Sequence, residues 1–152
     1  MAPEEKKVLE RLERLCARAE HCSADIRRKA LKALDGDEAA ASRIVSRLIE
    51  ERYVDDARYA GAFVREKSAL TGWGPVKIRF ALRGKGIDGS IVDEALQEAW
   101  GDAATDKLQK LLSAKCRSLQ GDPSIKLKLL RYGLGRGYTY EQVAPVVESL
   151  LP

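Results

Sequence analysis

Cys16, His21 and Cys22 lie close enough in the chain to hold a zinc ion, with Cys116 or a carboxylate as the fourth ligand. The spacing C-x4-H-C matches no standard finger, and His21 falls at a repeat position that Trp73 occupies one unit later. A packing or capping role is the better reading, and no metal is expected. GLGRG at 133–137 has the glycines of a phosphate loop. It lacks the Lys-Ser/Thr pair, and it follows a helical pattern rather than a strand, so a helix-ending turn accounts for it. Asp55 and Asp56 are adjacent, and a helix would turn their side chains about 100° apart, which suits capping and not a general acid and base. A single histidine, with no serine or cysteine placed to pair with it, leaves hydrolytic chemistry without a base. Neither an enzyme nor a cofactor is expected.

The residues that remain are cationic. The stretch TGWGPVKIRFALRGKGI, residues 71–87, carries Lys77, Arg79, Arg83 and Lys85 and no carboxylate. Ile78 and Leu82, four apart, mark an apolar stripe, Pro75 suits a first helical turn, and Gly84 and Gly86 suit the exit. A short basic helix is predicted. Trp73, just before it, occupies a position like that of a hydrophobic staple.

Such a helix must be positioned by its surroundings, and these read as helical throughout. Val8, Leu9, Leu12, Leu15, Cys16 and Ala19 predict a helix over residues 4–19. Ser23 is expected to cap a second helix over 24–34, and the segment DGDE leads to a third, with Ile44, Val45, Leu48 and Ile49 on its apolar face. Asp55 is expected to cap DARYAGAFVREKSAL, residues 56–70, with Tyr59, Ala60, Phe63 and Val64 inward. The rhythm returns at Ile91, Val92, Ala95, Leu96, Ala99 and Trp100, and further helices are predicted at 103–118, 124–134 and 140–151. No alternating segment competes as a strand. Leu82 and Phe63 are expected to hold the middle of the chain together.

The chain also repeats. Ile26, Ile78 and Leu129 stand at offsets of 52 and 51, each in a short basic helix. Ile44, Val45 and Leu48 recur 51 positions on as Ala95, Leu96 and Ala99, and after a further 51 as Val146, Val147 and Leu150. A period near 50 residues with three helices per unit predicts an all-α, elongated and curved array of three tandem three-helix repeats, spanning 1–54, 55–101 and 102–152.

In the first unit the basic segment reads IRRKALK, with Arg27, Arg28, Lys29 and Lys32, and in the third it reads IKLKLLRYGLGRG, with Lys126, Lys128, Arg131 and Arg136. Both segments are free of acids. Lysine and arginine fill the wet face of any amphipathic helix, so one basic helix is best read as solvated. Three in register favour an anion-binding surface, although the net charge is only +4 and the pI about 9.0. The partner is then nucleic acid or an acidic protein groove, and residue types alone do not separate the two. Trp73 or Tyr140 beside that surface could stack on a base, but packing is the simpler role.

At 152 residues and 45% hydrophobic, the chain can bury a core, and its 33% charged residues imply long solvated surfaces. The opening MAPEEKKVLE is charged from the start, unlike an export signal, and no apolar run is long enough to span a bilayer. Three cysteines argue against a disulfide framework. A cytoplasmic monomer is the expectation.

YVDDARYAGAFVREK followed by GWGPVKIRFALRGKGID resembles the second repeat of the RecX regulatory proteins. HCSADIRRKAL resembles that family's first-repeat motif and LRYGLGRGYTYEQV its third, so the resemblance runs from about residue 9 to 151. The cysteine in the first motif and the Trp-Gly before the basic helix resemble the Bacteroidetes branch. The resemblance implies tandem three-helix repeats that bind the RecA recombinase filament, apparently in its helical groove. It further implies restraint of strand exchange, ATP hydrolysis and co-protease activity, and thus a place in DNA repair, recombination and the SOS response. Some members of the family bind DNA themselves, which keeps a stand-alone DNA-binding repeat protein as the alternative. Two departures from the family pattern bear on structure. Gly133 replaces a larger apolar residue and is expected to loosen its helix, and LDGDEAAA replaces the Lys-Gly turn in the first repeat.

Overall fold

The computed structural model describes residues 1–152 and contains helices and turns only. The first unit comprises α1 (Pro3–Arg18), α2 (Ser23–Ala33) and α3 (Glu38–Glu50). The second comprises α4 (Asp56–Glu66), α5 (Pro75–Gly84) and α6 (Gly89–Ala99), and the third α7 (Asp102–Ser118), α8 (Ile125–Gly135) and α9 (Tyr140–Leu150). Each unit has its own core. The first centres on Leu12, Ile26, Ile44 and Leu48, the second on Val64, Ile78, Leu82 and Val92, and the third on Leu112, Leu129, Val143 and Val147. The repeat is visible in the burial: Ile26, Ile78 and Leu129 are each 0% exposed, at the same place in the middle helix. Trp100 packs against both the second and third cores and bridges them, with its ring 6.3 Å from that of Tyr138.

The three cysteines are buried in three different cores, Cys16 in the first, Cys22 in the second and Cys116 in the third. The geometry therefore scatters the candidate zinc set. Burial pushes the Cys16 and Cys22 thiols above their ordinary pKa.

Several local expectations need correction. The helix begun at Asp56 does not continue regularly to residue 70: α4 closes at Glu66 into a π-helical turn, Lys67–Thr71, ended by Gly72 at φ +75°. Ser23 does not cap α2, because Cys22 is the capping residue and Ser23 begins the helix. Instead the Ser23 amide and hydroxyl each donate to the Asp56 carboxylate at 2.7 Å. Asp55 does cap α4, accepting from the Arg58 amide at 3.0 Å, so two adjacent acids cap helices in two different units.

Gly133 does not loosen its helix. It is buried, and a Cβ there would stand 2.6 Å from Cγ2 of Val143, so glycine is what lets α8 and α9 close. The first unit's turn does differ from the other two. Gly86 and Gly137 each provide one left-handed residue, whereas the first unit has two in succession, Asp35 and Gly36. Leu82 is fully buried as expected, but Phe63 is only half-buried, flanked by the rings of Tyr59 and Trp73.

The units join in linear order: hydrogen bonds and ion pairs between units link the first to the second and the second to the third. Both joints use the same parts. The residue capping a middle helix meets the turn that follows the next unit's middle helix. At the second joint the Gly74 amide donates to the Arg136 carbonyl at 2.8 Å and the Val76 amide to the Gly137 carbonyl at 2.9 Å. At the first joint the Cys22 thiol lies 4.0 Å from the Lys85 carbonyl.

Candidate interaction surface

Helix α5 turns Ile78 and Leu82 into its core and leaves Val76, Lys77, Arg79, Phe80 and Arg83 outside. Its fixed start depends on Trp73, whose ring packs edge-on against Phe63 at 6.2 Å. Two ammonium groups cover that ring, Lys67 at 4.8 Å and Lys77 at 4.6 Å, within cation–π range. Trp73 is thereby committed to packing, and Lys77 stands with its stem against the aromatic cluster.

The ten expected cations are not equivalent. Arg79 pairs with Asp93 on α6, and Arg83 donates to the Ile87 carbonyl at 2.9 Å. Lys85 lies 3.6 Å from Asp25 and 6.0 Å from the Tyr59 ring centroid. Arg27 donates to the Ser42 hydroxyl at 2.8 Å, and Arg28 pairs with Asp25. Lys128 pairs with Asp122, whose carboxyl is held below the ordinary range by that bond and by the Ser124 amide. Lys126 and Arg131 are exposed and have no carboxylate partner. The helices are thus less free of acid than the short segments imply. Asp25 lies within the first turn of α2, and α5 and α8 meet their carboxylates from neighbouring elements.

Arg136 has a structural task. Its guanidinium donates to the carbonyls of Gly72 at 2.9 Å and Thr71 at 2.7 Å, tying the turn after α8 to the π-helical turn of the second unit. It locks the second joint and does not extend an open surface.

Sequence reasoning missed Phe80, the most exposed of the large hydrophobic side chains at 83%. Two residues past Ile78, it falls about 200° round the helix from the buried stripe, and that phase was the available signal. Val76 at 57% lies one turn before it, and the residue 51 positions after Val76 is Leu127, also exposed at 49%. Leu134, at 45%, sits near the end of α8, three residues before the Gly137 carbonyl that binds the start of α5. The face along α5 and α8 therefore mixes apolar anchors with lysine and arginine. A protruding phenylalanine between Arg79 and Arg83 has the composition of a protein–protein hot spot.

A linear series of three-helix units defines an all-α helical-repeat fold, and known proteins share it. The family model "RecX, second three-helix domain" matches residues 55–96. "Regulatory protein RecX" of Clostridium acetobutylicum is 31% identical over 130 residues, covering 79% of this chain and 58% of that protein. Its namesake in Oceanobacillus iheyensis is 34% identical over 107 residues, covering 66% of this chain and 39% of that protein. The crystal structure of RecX from Lactobacillus salivarius superposes with a TM-score of 0.86 at 22% identity, covering 99% of this chain and 98% of that one. A second structure, of regulatory protein RecX, gives 0.84 at 25% identity, covering 97% of this chain and 73% of that one. The chain belongs to the RecX family. It spans about half the length of the curated relatives it matches. No helix is long and apolar enough to cross a membrane.

Proposed function

We propose that this chain regulates a RecA recombinase filament, docking on it through the α5–α8 face and restraining strand exchange, ATP hydrolysis and co-protease activity. It acts in this reading as a cytoplasmic monomer in DNA repair and recombination. Membership of a family of regulatory proteins supports this choice of partner. The observation that carries the choice of face is Phe80, 83% exposed and flanked by arginines on a helix otherwise fixed in its core. A surface built only for phosphates has no use for such a ring, whereas a protein groove with an apolar pocket and acidic rim does. Lys77, Arg79 and Arg83 on α5 and Lys126, Lys128 and Arg131 on α8 supply the cations of that face; Arg27 and Arg28, on α2, and Lys85, after α5, are held by local partners.

The test is inhibition of ATP hydrolysis by preformed RecA filaments, comparing the wild-type chain with Arg79→Ala plus Phe80→Ala. Both side chains are exposed and Arg79 holds only a surface ion pair, so the melting temperature should stay within a few degrees. Inhibition should be lost. A double variant that folds normally and inhibits like wild type places the docking face elsewhere.

A further inference from the structure

A strongly cationic hollow lies on neither α5 nor α8. It is a groove of about 560 Å³ between α1 and α2, lined by Arg11, Arg14, Arg18, Lys29 and Lys32 with no carboxylate. All five cations are exposed and none forms an ion pair. Arg11, Arg14 and Arg18 follow one another at three and four residues, a single stripe about 10 Å long on α1. Lys29 and Lys32 form the facing wall on α2 and continue into a second hollow with His21, Asp25 and Arg28, where Asp25 is engaged by Arg28 and Lys85.

Two acids, one on α1 and one just past its end, are drawn to other partners. Glu5 is bound by Arg43 at 2.7 Å and Glu20 by Arg58 at 2.8 Å. Glu13 sits beside Tyr53, in a hollow that Glu10 shares with the outer edge of Arg14. Of the five cations only Arg14 also borders acids, and the groove itself holds no carboxylate. Five like charges close together repel one another, a cost that a bound polyanion removes.

The lining also says which polyanion. Apart from the cations the groove offers Leu12, which is buried, Leu15, which is half-buried, and the methyl of Ala33. None of the exposed large hydrophobic side chains lies in it, so it lacks the anchors that would seat an acidic amphipathic peptide or enter a lipid surface. No aromatic ring lines it, so it has nothing on which to stack a base. What remains is charge spaced for a repeating anion. We propose that the α1–α2 groove is a nucleic-acid site that holds the phosphate backbone without reading sequence. This site is separate from the α5–α8 face and does not depend on the proposed action on a recombinase.

The experiment uses the full chain and fluorescent oligonucleotides, with no recombinase in the tube. Binding of a mixed-sequence duplex is followed against salt, with single-stranded mixed-sequence and homopolymeric strands in parallel. Five phosphate contacts predict a slope of log affinity on log salt of about −4.5 for duplex and −3.5 for single strands. Arg11→Gln with Arg18→Gln, and separately Lys29→Gln with Lys32→Gln, should each flatten the slope by about 1.8 for duplex and about 1.4 for single strands, and weaken binding about tenfold or more at low salt. The single strands should bind alike within about twofold, whatever their sequence. Lys110→Gln with Arg117→Gln, exposed on α7, serves as the control and should change nothing. The two walls are independent, and all four groove side chains are exposed, so circular dichroism should read the same for every variant. Unchanged slopes in both groove variants overturn the proposal. Poly-glutamate of equal length and charge displacing the duplex as effectively as unlabelled duplex also overturns it, by assigning the groove to an acidic polypeptide.

Discussion

Gly74 is where the second joint is tightest, and replacing it with alanine tests how the units are held. A Cβ there would stand 2.1 Å from the Tyr138 amide nitrogen and 2.2 Å from the Gly137 carbonyl carbon. Both are backbone atoms, so no rotamer change relieves the clash. Reaching ordinary contact at 3.4 Å requires the facing backbones to part by about 1.3 Å. That movement takes the bonds from the Gly74 amide to the Arg136 carbonyl and from the Val76 amide to the Gly137 carbonyl, 2.8 and 2.9 Å long, out of hydrogen-bonding range. It also strains the two Arg136 bonds to Thr71 and Gly72. Two neutral bonds at about 1 kcal/mol each and two charge-assisted ones at about 1.5–3 kcal/mol bound the loss near 5–8 kcal/mol. Partial relaxation brings the expected cost of Gly74→Ala to about 3–5 kcal/mol. Gly74 has φ −81°, so none of that cost comes from backbone torsion. Gly84→Ala is the contrast: it lies within α5 with open space around it, and it should stabilise by about 0.5–1 kcal/mol. Denaturant melts give both numbers, and amide exchange at Gly74 and Val76 reports the joint directly. A Gly74→Ala chain that loses less than about 1 kcal/mol and keeps those amides protected would refute the reasoning.

Leu82→Ala should cost about 2–5 kcal/mol in the same melts, with Phe63→Ala costing less because its ring is only half-buried. Tyr138→Phe should leave stability unchanged or raise it, since the Tyr138 hydroxyl is buried without a hydrogen-bond partner; a clear loss would reveal a partner. Acid should weaken the first unit in a way traceable to Glu5, whose carboxyl is held below its ordinary pKa first by the Arg43 hydrogen bond. Its contribution is present above the unfolded carboxylate pKa, about 4.3, and is lost as pH falls through the lower folded value. The melting temperature should therefore fall less steeply below about pH 4.5 in Glu5→Gln than in wild type, and parallel curves would dismiss the pair.

What the sequence made legible was periodic. Ile26, Ile78 and Leu129 could be placed because burial on a helix leaves a 3–4 rhythm, and a repeating unit leaves a second, longer one. Non-local contacts leave neither. Nothing about Asp56 says that it serves Ser23 in the preceding unit, and nothing about Arg136 separates a strut across a joint from a free cation. Gly133 read as a weak point because a missing side chain says nothing of the Val143 side chain that fills its place. The candidate surface was half legible. Its cations stood out as a run, but the pairing of Arg79 with Asp93 depends on how α6 lies against α5. Phe80 was hidden by expectation, since an aromatic residue in a helix is ordinarily read as core. Lys29 and Lys32 of the α1–α2 groove stood out in IRRKALK, but Arg11, Arg14 and Arg18 did not, because they are interleaved with Glu10 and Glu13 along α1.

The two joints share a plan but not a strength, and this gives the molecule a mechanical character. The second is closed by main-chain bonds and by a guanidinium gripping two carbonyls, contacts that salt hardly touches. The first relies on a thiol resting near a carbonyl, on Asp56 holding Ser23, and on the ion pairs Glu20–Arg58 and Asp25–Lys85 at the surface. Surface pairs of that kind yield to ionic strength. The second joint should accordingly hold as salt rises while the first loosens. Bending there would swing the α1–α2 groove relative to Phe80 and would draw on Cys22, which reaches from the first unit into the second core.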